Sequence, residues 1–85
     1  MTYAVLLLPV AEREWRKLPR EIQPRINRTL LALEDTPRLH GVTKLSGSSD
    51  RWRVRVGNYR IIYRIDDTAR QVTVLRIAHR RQVYR

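Results

Sequence analysis

The stretch Arg51-Trp52-Arg53-Val54-Arg55-Val56-Gly57-Asn58-Tyr59-Arg60-Ile61-Ile62-Tyr63-Arg64-Ile65 decides the fold. From Arg51 to Val56 a cation alternates strictly with an apolar residue, the period of a strand with one face buried. Gly57-Asn58 is a two-residue hairpin turn, with glycine supplying the positive φ such turns need. That turn sets a register. Val56 lies opposite Tyr59, Arg55 opposite Arg60, Val54 opposite Ile61, Arg53 opposite Ile62, Trp52 opposite Tyr63 and Arg51 opposite Arg64. One face then carries Trp52, Val54, Val56, Tyr59, Ile61, Tyr63 and Ile65, the core side. The other carries Arg51, Arg53, Arg55, Arg60 and Arg64.

Downstream, Asp66 to Arg70 reads as a polar turn and Val72 to Ile77 as a third strand. Simple alternation puts Val72, Val74 and Arg76 on the arginine face and Thr73, Leu75 and Ile77 on the core. His79 to Arg85 is a short polar tail. Upstream, residues 36–50 are a loop rich in Pro, Gly and Ser, broken by Val42 to Leu45. Before it, Ile22, Ile26, Leu30 and Leu33 make one helical stripe. Pro24 is tolerated only in a first turn, so this helix starts near Gln23; Thr36-Pro37 ends it. Ala11, Trp15 and Leu18 mark an earlier amphipathic helix between Pro9 and Pro19. Thr2 to Leu8 reads as a buried strand. The order is β-α-α-β-β-β: an α+β protein with two N-terminal helices covering one face of a small, mostly antiparallel sheet. Residues 1–85 are expected to form a single domain.

Composition narrows the function. The chain has 85 residues and no cysteine, which excludes disulfides, thiolate zinc sites and thiol nucleophiles. The apolar run Ala4 to Val10 is too short for a membrane span and lacks a preceding basic segment, so neither a signal peptide nor membrane association is expected, and a cytoplasmic location is. The formal net charge is +10, and sixteen of the eighteen cations are arginine. Residues 1–50 carry 8 cations against 6 anions; residues 51–85 carry 10 arginines against Asp66 and Asp67. Such a basic half implies a polyanionic partner.

Like charges directly opposite on a sheet cost a few tenths to about 1 kcal/mol per pair. Two Arg–Arg pairs in one hairpin make sense when an anion sits over them, and the guanidinium fork suits phosphate oxygens. No acidic cluster is present for two metal ions, His40 and His79 lack zinc spacing, and no phosphate-binding glycine loop exists, so no metal or cofactor is expected. Metal-free phosphoryl chemistry remains. RNA brings its own nucleophile, the 2′-OH; a site has only to orient it, move protons and neutralise the phosphorane.

Several segments together resemble the RelE/ParE superfamily of type II toxins. They are Tyr3-x-Val5, Trp15-Arg16-Lys17-Leu18-Pro19, Pro37-Arg38, Lys44-Leu45-x-Gly47, Trp52-Arg53-Val54-Arg55-x-Gly57-x-Tyr59-Arg60-Ile61-Ile62-Tyr63 and His79-Arg80-Arg81-x-Val83-Tyr84-Arg85. The hairpin and tail are similar to the RelE branch. The resemblance implies the same β-α-α-β-β-β fold and a ribosome-dependent mRNA endoribonuclease, an mRNA interferase that cuts message in the A site. It implies as partners mRNA, the 70S ribosome with its 16S rRNA, and an acidic RelB-like antitoxin through which alone operator DNA is contacted. Arg53 and Arg55 stand where RelE enzymes have catalytic or phosphate-binding lysines. Arg60 and Arg80 match transition-state-stabilising arginines, and Tyr84 matches a tyrosine that contacts the nucleotide. Lys44 falls in a loop expected to touch RNA. Arg51, Arg64, Arg76 and Arg81 are further candidates for phosphate contact.

One departure bears on mechanism. Lysine can serve as a general base; arginine stays protonated. Arg53 and Arg55 are therefore expected to act electrostatically, leaving His79, Tyr84, the Arg85 carboxylate or a ribosomal group as base. His79 is the one side chain nearby of a type that titrates near neutrality. The chain stops one residue after Tyr84, so no long C-terminal helix is expected over the site. The alternatives are a ParE-like gyrase inhibitor, which needs no catalytic constellation, and a non-catalytic antitoxin- or nucleic-acid-binding member.

Overall fold

In the computed structural model, which describes residues 2–39, 42–45, 51–79 and 81, two helices pack on a five-stranded sheet. The elements run β1 (Ala4–Leu7), α1 (Pro9–Arg16), α2 (Gln23–Asp35), β2 (Thr43–Lys44), β3 (Arg51–Val56), β4 (Tyr59–Asp66) and β5 (Gln71–His79). The sheet order is β1-β5-β4-β3-β2, and only the β1–β5 pair is parallel. The α+β architecture is the one expected, and so is every pair of the β3–β4 register. Gly57 takes φ +59° at the turn.

Three details depart from the sequence expectations. Thr43–Lys44 is a fifth strand, pairing with Arg53 and Trp52, where a loop was expected. β1 is an edge strand and only half-buried, with Leu6 49% exposed, because among the described residues no strand pairs with its outer side. Most consequentially, β5 carries a bulge: Ile62 pairs with Arg76 and Tyr63 with Val74, so Leu75 is extra. One inserted residue reverses the alternation. Val72 and Val74 therefore face the core, both fully buried, and Thr73 shares the face of Arg64. Beyond the bulge Arg76 and Ile77 keep their expected sides.

The core lies between helices and sheet, built from Ala11, Leu18, Ile22, Ile26 and Leu33 against Val54, Ile61, Tyr63, Ile65, Val72, Val74 and Ile77. Trp15, Trp52 and Tyr59 pack on its margin. Pro9 opens α1 and Pro24 sits in the first turn of α2, where a missing N–H breaks no helical bond. The Trp15 indole donates to Asn27 Oδ1 at 2.8 Å and Gln23 Nε2 to the Trp15 carbonyl at 3.1 Å, joining the helices. The buried Tyr63 hydroxyl donates to the Pro37 carbonyl at 2.7 Å, tying β4 to the end of α2. Among the described residues no helix is long and apolar enough to cross a membrane.

Candidate nucleic-acid interface

Opposite the helices, the sheet presents Arg51, Arg53 and Arg55 from β3, Arg60, Ile62 and Arg64 from β4, and Thr73, Arg76 and Ala78 from β5. Arg51 pairs with Arg64 and Arg55 with Arg60, so each pair has Cβ atoms roughly 4.5–5.5 Å apart. The face is not uniformly open. Arg60 is only 9% exposed, with Ile62 and Ala78 buried beside it, whereas Arg51, Arg55 and Arg64 are exposed and Arg53 is half-buried. A recessed guanidinium is thus ringed by accessible ones. Burial lowers the local dielectric, so an anion there interacts with Arg60 more strongly than with a fully hydrated cation. The geometry suits a phosphate that loses water on one side while staying reachable from the other.

Other sequence candidates lie elsewhere. Arg76 projects from the arginine face but is held by Glu14 of α1: Nε lies 2.9 and 3.1 Å from the two carboxylate oxygens and Nη2 2.6 Å from Oε2. Glu14 also accepts the Ile77 backbone N–H at 2.8 Å. His79 is opposite Tyr59 and so stands on the helix side of the sheet, away from Arg53, Arg55 and Arg60. Its ring meets Tyr59 edge-on, centroids 5.3 Å apart, in a cleft of about 400 Å³ also lined by Glu14, Lys17 and Leu18. Its Nδ1 accepts the Arg81 N–H at 3.3 Å, and Arg81 is exposed. Alternation, applied to the end of β5, separates the candidate base from the arginines by the thickness of the sheet. Lys44 also lies off the arginine face: it pairs with Trp52, its ammonium 5.9 Å from that indole's centroid. Arg80, Tyr84 and Arg85 lie outside the described residues. Among the described residues no group of three His, Asp or Glu could hold a metal ion.

One cluster was invisible in the sequence. Asp67, in the β4–β5 turn, accepts from the Tyr3 hydroxyl at 2.7 Å and from both terminal nitrogens of Arg38 at 3.2 and 2.9 Å. Arg38 in turn lies 5.3 Å from the Trp52 centroid, and Arg70 5.6 Å from that of Tyr3. The Arg38 guanidinium, with help from Tyr3, holds the Asp67 carboxyl down at about 2. Burial pushes the Tyr63 hydroxyl up to about 12, against a smaller opposing pull from Arg38. Neither Glu14 nor Asp67 stands in a pattern that announces a long-range contact, since each is one acid among the charges of a helix or a turn.

Residues 5–84 match a family model described as the ParE toxin of the type II toxin–antitoxin system parDE. The toxin RelG of Mycobacterium tuberculosis is 33% identical over 86 residues, spanning 100% of this chain and 99% of its own. The archaeal RelE–RelB complex from Pyrococcus horikoshii contains a chain that superposes with a TM-score of 0.85 at 27% identity, covering 98% of this chain and 100% of that one. A chain of the M. tuberculosis toxin–antitoxin complex RelBE2 superposes with a TM-score of 0.81 at 31% identity, covering 93% of this chain and 99% of that one.

Proposed function

Since the chain belongs to the RelE/ParE superfamily of type II toxin–antitoxin toxins, in its RelE branch, we propose that it is a ribosome-dependent endoribonuclease acting on mRNA in the A site. The carrying observation is the recessed Arg60 beside Arg55 and Arg53 on a cationic sheet face, which supports a phosphate as the group bound there. In the proposed reaction the 2′-oxygen attacks the adjacent phosphorus, the new O–P bond forms and the bond to the 5′-oxygen breaks. The 2′ proton passes to a base and the leaving 5′-oxygen gains one. Arg60, Arg55 and Arg53 neutralise the charge that builds on the phosphorane, with Arg80 as a fourth cation. The His79 ring faces away from these arginines. Proton transfer is therefore assigned to Tyr84, the Arg85 carboxylate or a ribosomal group. Residues 1–85 act as one toxin domain in the cytoplasm, held inactive by an acidic RelB-like antitoxin.

The test is single-turnover cleavage of an A-site codon on programmed ribosomes. Arg60→Ala should lower the rate about 100- to 1000-fold, as losing one preorganised donor does, while fold and antitoxin binding persist. Replacing the 2′-OH by hydrogen at the cut nucleotide should abolish cleavage, and normal cutting of that substrate refutes the mechanism. A second reading, a gyrase poison, draws support from the match to the ParE model. It predicts inhibition of gyrase supercoiling with no message cut.

A further inference from the structure

The positive surface does not stop at the sheet. Arg55 projects at the β3 edge beside the hairpin, and α2 runs alongside with Arg25 and Arg28 on adjoining turns. Arg25, Arg28, Thr29, Arg55 and Val56 line a cleft of about 270 Å³ between helix and strand. Residues three apart on a helix share a face, so Arg25 and Arg28 both front this cleft. Arg25 leans on the hairpin: its Nη1 lies 3.1 Å from where a Cβ on Gly57 would stand. Among the described residues, none of Arg25, Arg28 or Arg55 has a carboxylate within ion-pair distance. Three guanidiniums thus converge with no acid to offset their repulsion, whereas Arg16, Arg38 and Arg76 are each matched to one.

We propose that the Arg25–Arg28–Arg55 cleft is a second RNA-backbone site, taking phosphates of a strand that runs on from the arginine face around the β3 edge. The inference rests on the function proposed above, since it extends that face. An RNA backbone fits better than an acidic protein segment. A docked peptide needs apolar pockets for anchor residues, and this cleft offers Val56 alone. A phosphate chain needs only forked donors at short intervals. Arg55 belongs to both surfaces, so one polyanion can occupy them continuously.

The test uses full-length protein with Arg25→Gln/Arg28→Gln, which leaves Arg53, Arg55 and Arg60 in place. Binding to vacant 70S ribosomes and to a short RNA duplex is measured between about 0.05 and 0.3 M salt. Each lost phosphate contact should reduce the slope of log K against log salt by about 1, and so by about 2 for the pair. Affinity should fall about tenfold or more at about 0.1 M salt, with the single-turnover rate on saturating ribosomes unchanged. An unchanged thermal midpoint shows that the variant folds, and Arg25→Glu/Arg28→Glu should weaken binding further. Wild-type affinity and slope in both variants overturn the proposal. So does a loss confined to an acidic antitoxin peptide, which would make the cleft a protein-docking site. Wild-type protein that binds RNA but cuts no message refutes the endonuclease reading instead, while the slope difference still decides the cleft.

Discussion

Glu14 should be the most costly surface-near side chain to remove. β1 pairs with β5 only as far as Val74, whose carbonyl accepts the Leu8 N–H at 3.0 Å. Beyond that point, among the described residues, the edge of β5 has no strand beside it, and Glu14 reaches across from α1 to take the Ile77 N–H. Its side chain is 21% exposed, so a carboxylate–amide bond there is worth about 1.5–2 kcal/mol. The Arg76 guanidinium is 47% exposed, and solvent screening reduces its share to about 0.5–1 kcal/mol. Glu14→Ala should therefore destabilise the fold by about 2–3 kcal/mol, a midpoint shift of roughly 8–24 °C for a chain of this size. Arg76→Ala should cost only about 0.5–1 kcal/mol. Glu14→Gln keeps an acceptor for Ile77 and should fall between them. Urea unfolding followed by tryptophan fluorescence and circular dichroism measures all three, and about 1 M salt should erase the Arg76 share while leaving the Ile77 bond. Equal costs for Glu14→Ala and Arg76→Ala, with a double mutant no worse, would refute the idea that Glu14 caps the strand edge.

Tyr63→Phe should cost about 1–3 kcal/mol in urea unfolding, because it strips the buried Pro37 carbonyl of its donor. Because the Tyr63 hydroxyl is raised to about 12 in the fold, the unfolded chain loses that proton first. Stability should therefore decline above about pH 10, and Tyr63→Phe should flatten that decline. Asp67 shifts the opposite way, down to about 2 from an ordinary 3.8, so its contribution is complete above that ordinary value and is lost as pH falls toward 2. Acid unfolding curves of Asp67→Asn should lack this component, and an unchanged acid limb would show that the Tyr3–Asp67–Arg38 cluster adds nothing to stability.

The β3–β4 hairpin was legible down to individual pairs because its signals are local: strict period-2 alternation from Arg51 to Val56, followed by a two-residue turn, leaves one register. The helix limits were legible for a similar reason, since proline acts on its own and the preceding backbone. β5 was not. Its bulge serves pairing with β4, and Val72-Thr73-Val74-Leu75 has apolar side chains at three of four positions, so either phase reads plausibly. His79 was expected in a polar tail after Ile77, whereas it is the last residue of β5, and its pairing with Tyr59 puts it on the helix side.

By itself the sequence determined the order of the main elements, the short β2 apart, together with the arginines that β3 and β4 share on one face and their two cross-strand pairs, all consequences of short-range periodicity and turn chemistry. Only the tertiary structure decided which arginines are committed. Arg76 is taken up by Glu14 and Arg38 by Asp67, partners 62 and 29 residues away, while Arg60 is sunk beside Ile62 and Ala78. Arg25 and Arg28, which in the sequence are ordinary charges on a solvated helix, come up against Arg55 only when α2 packs along the hairpin. The physical reason is range. Backbone preferences act over a few residues, whereas the partner and burial of a long charged side chain are set by whatever distant segment the packed core brings beside it.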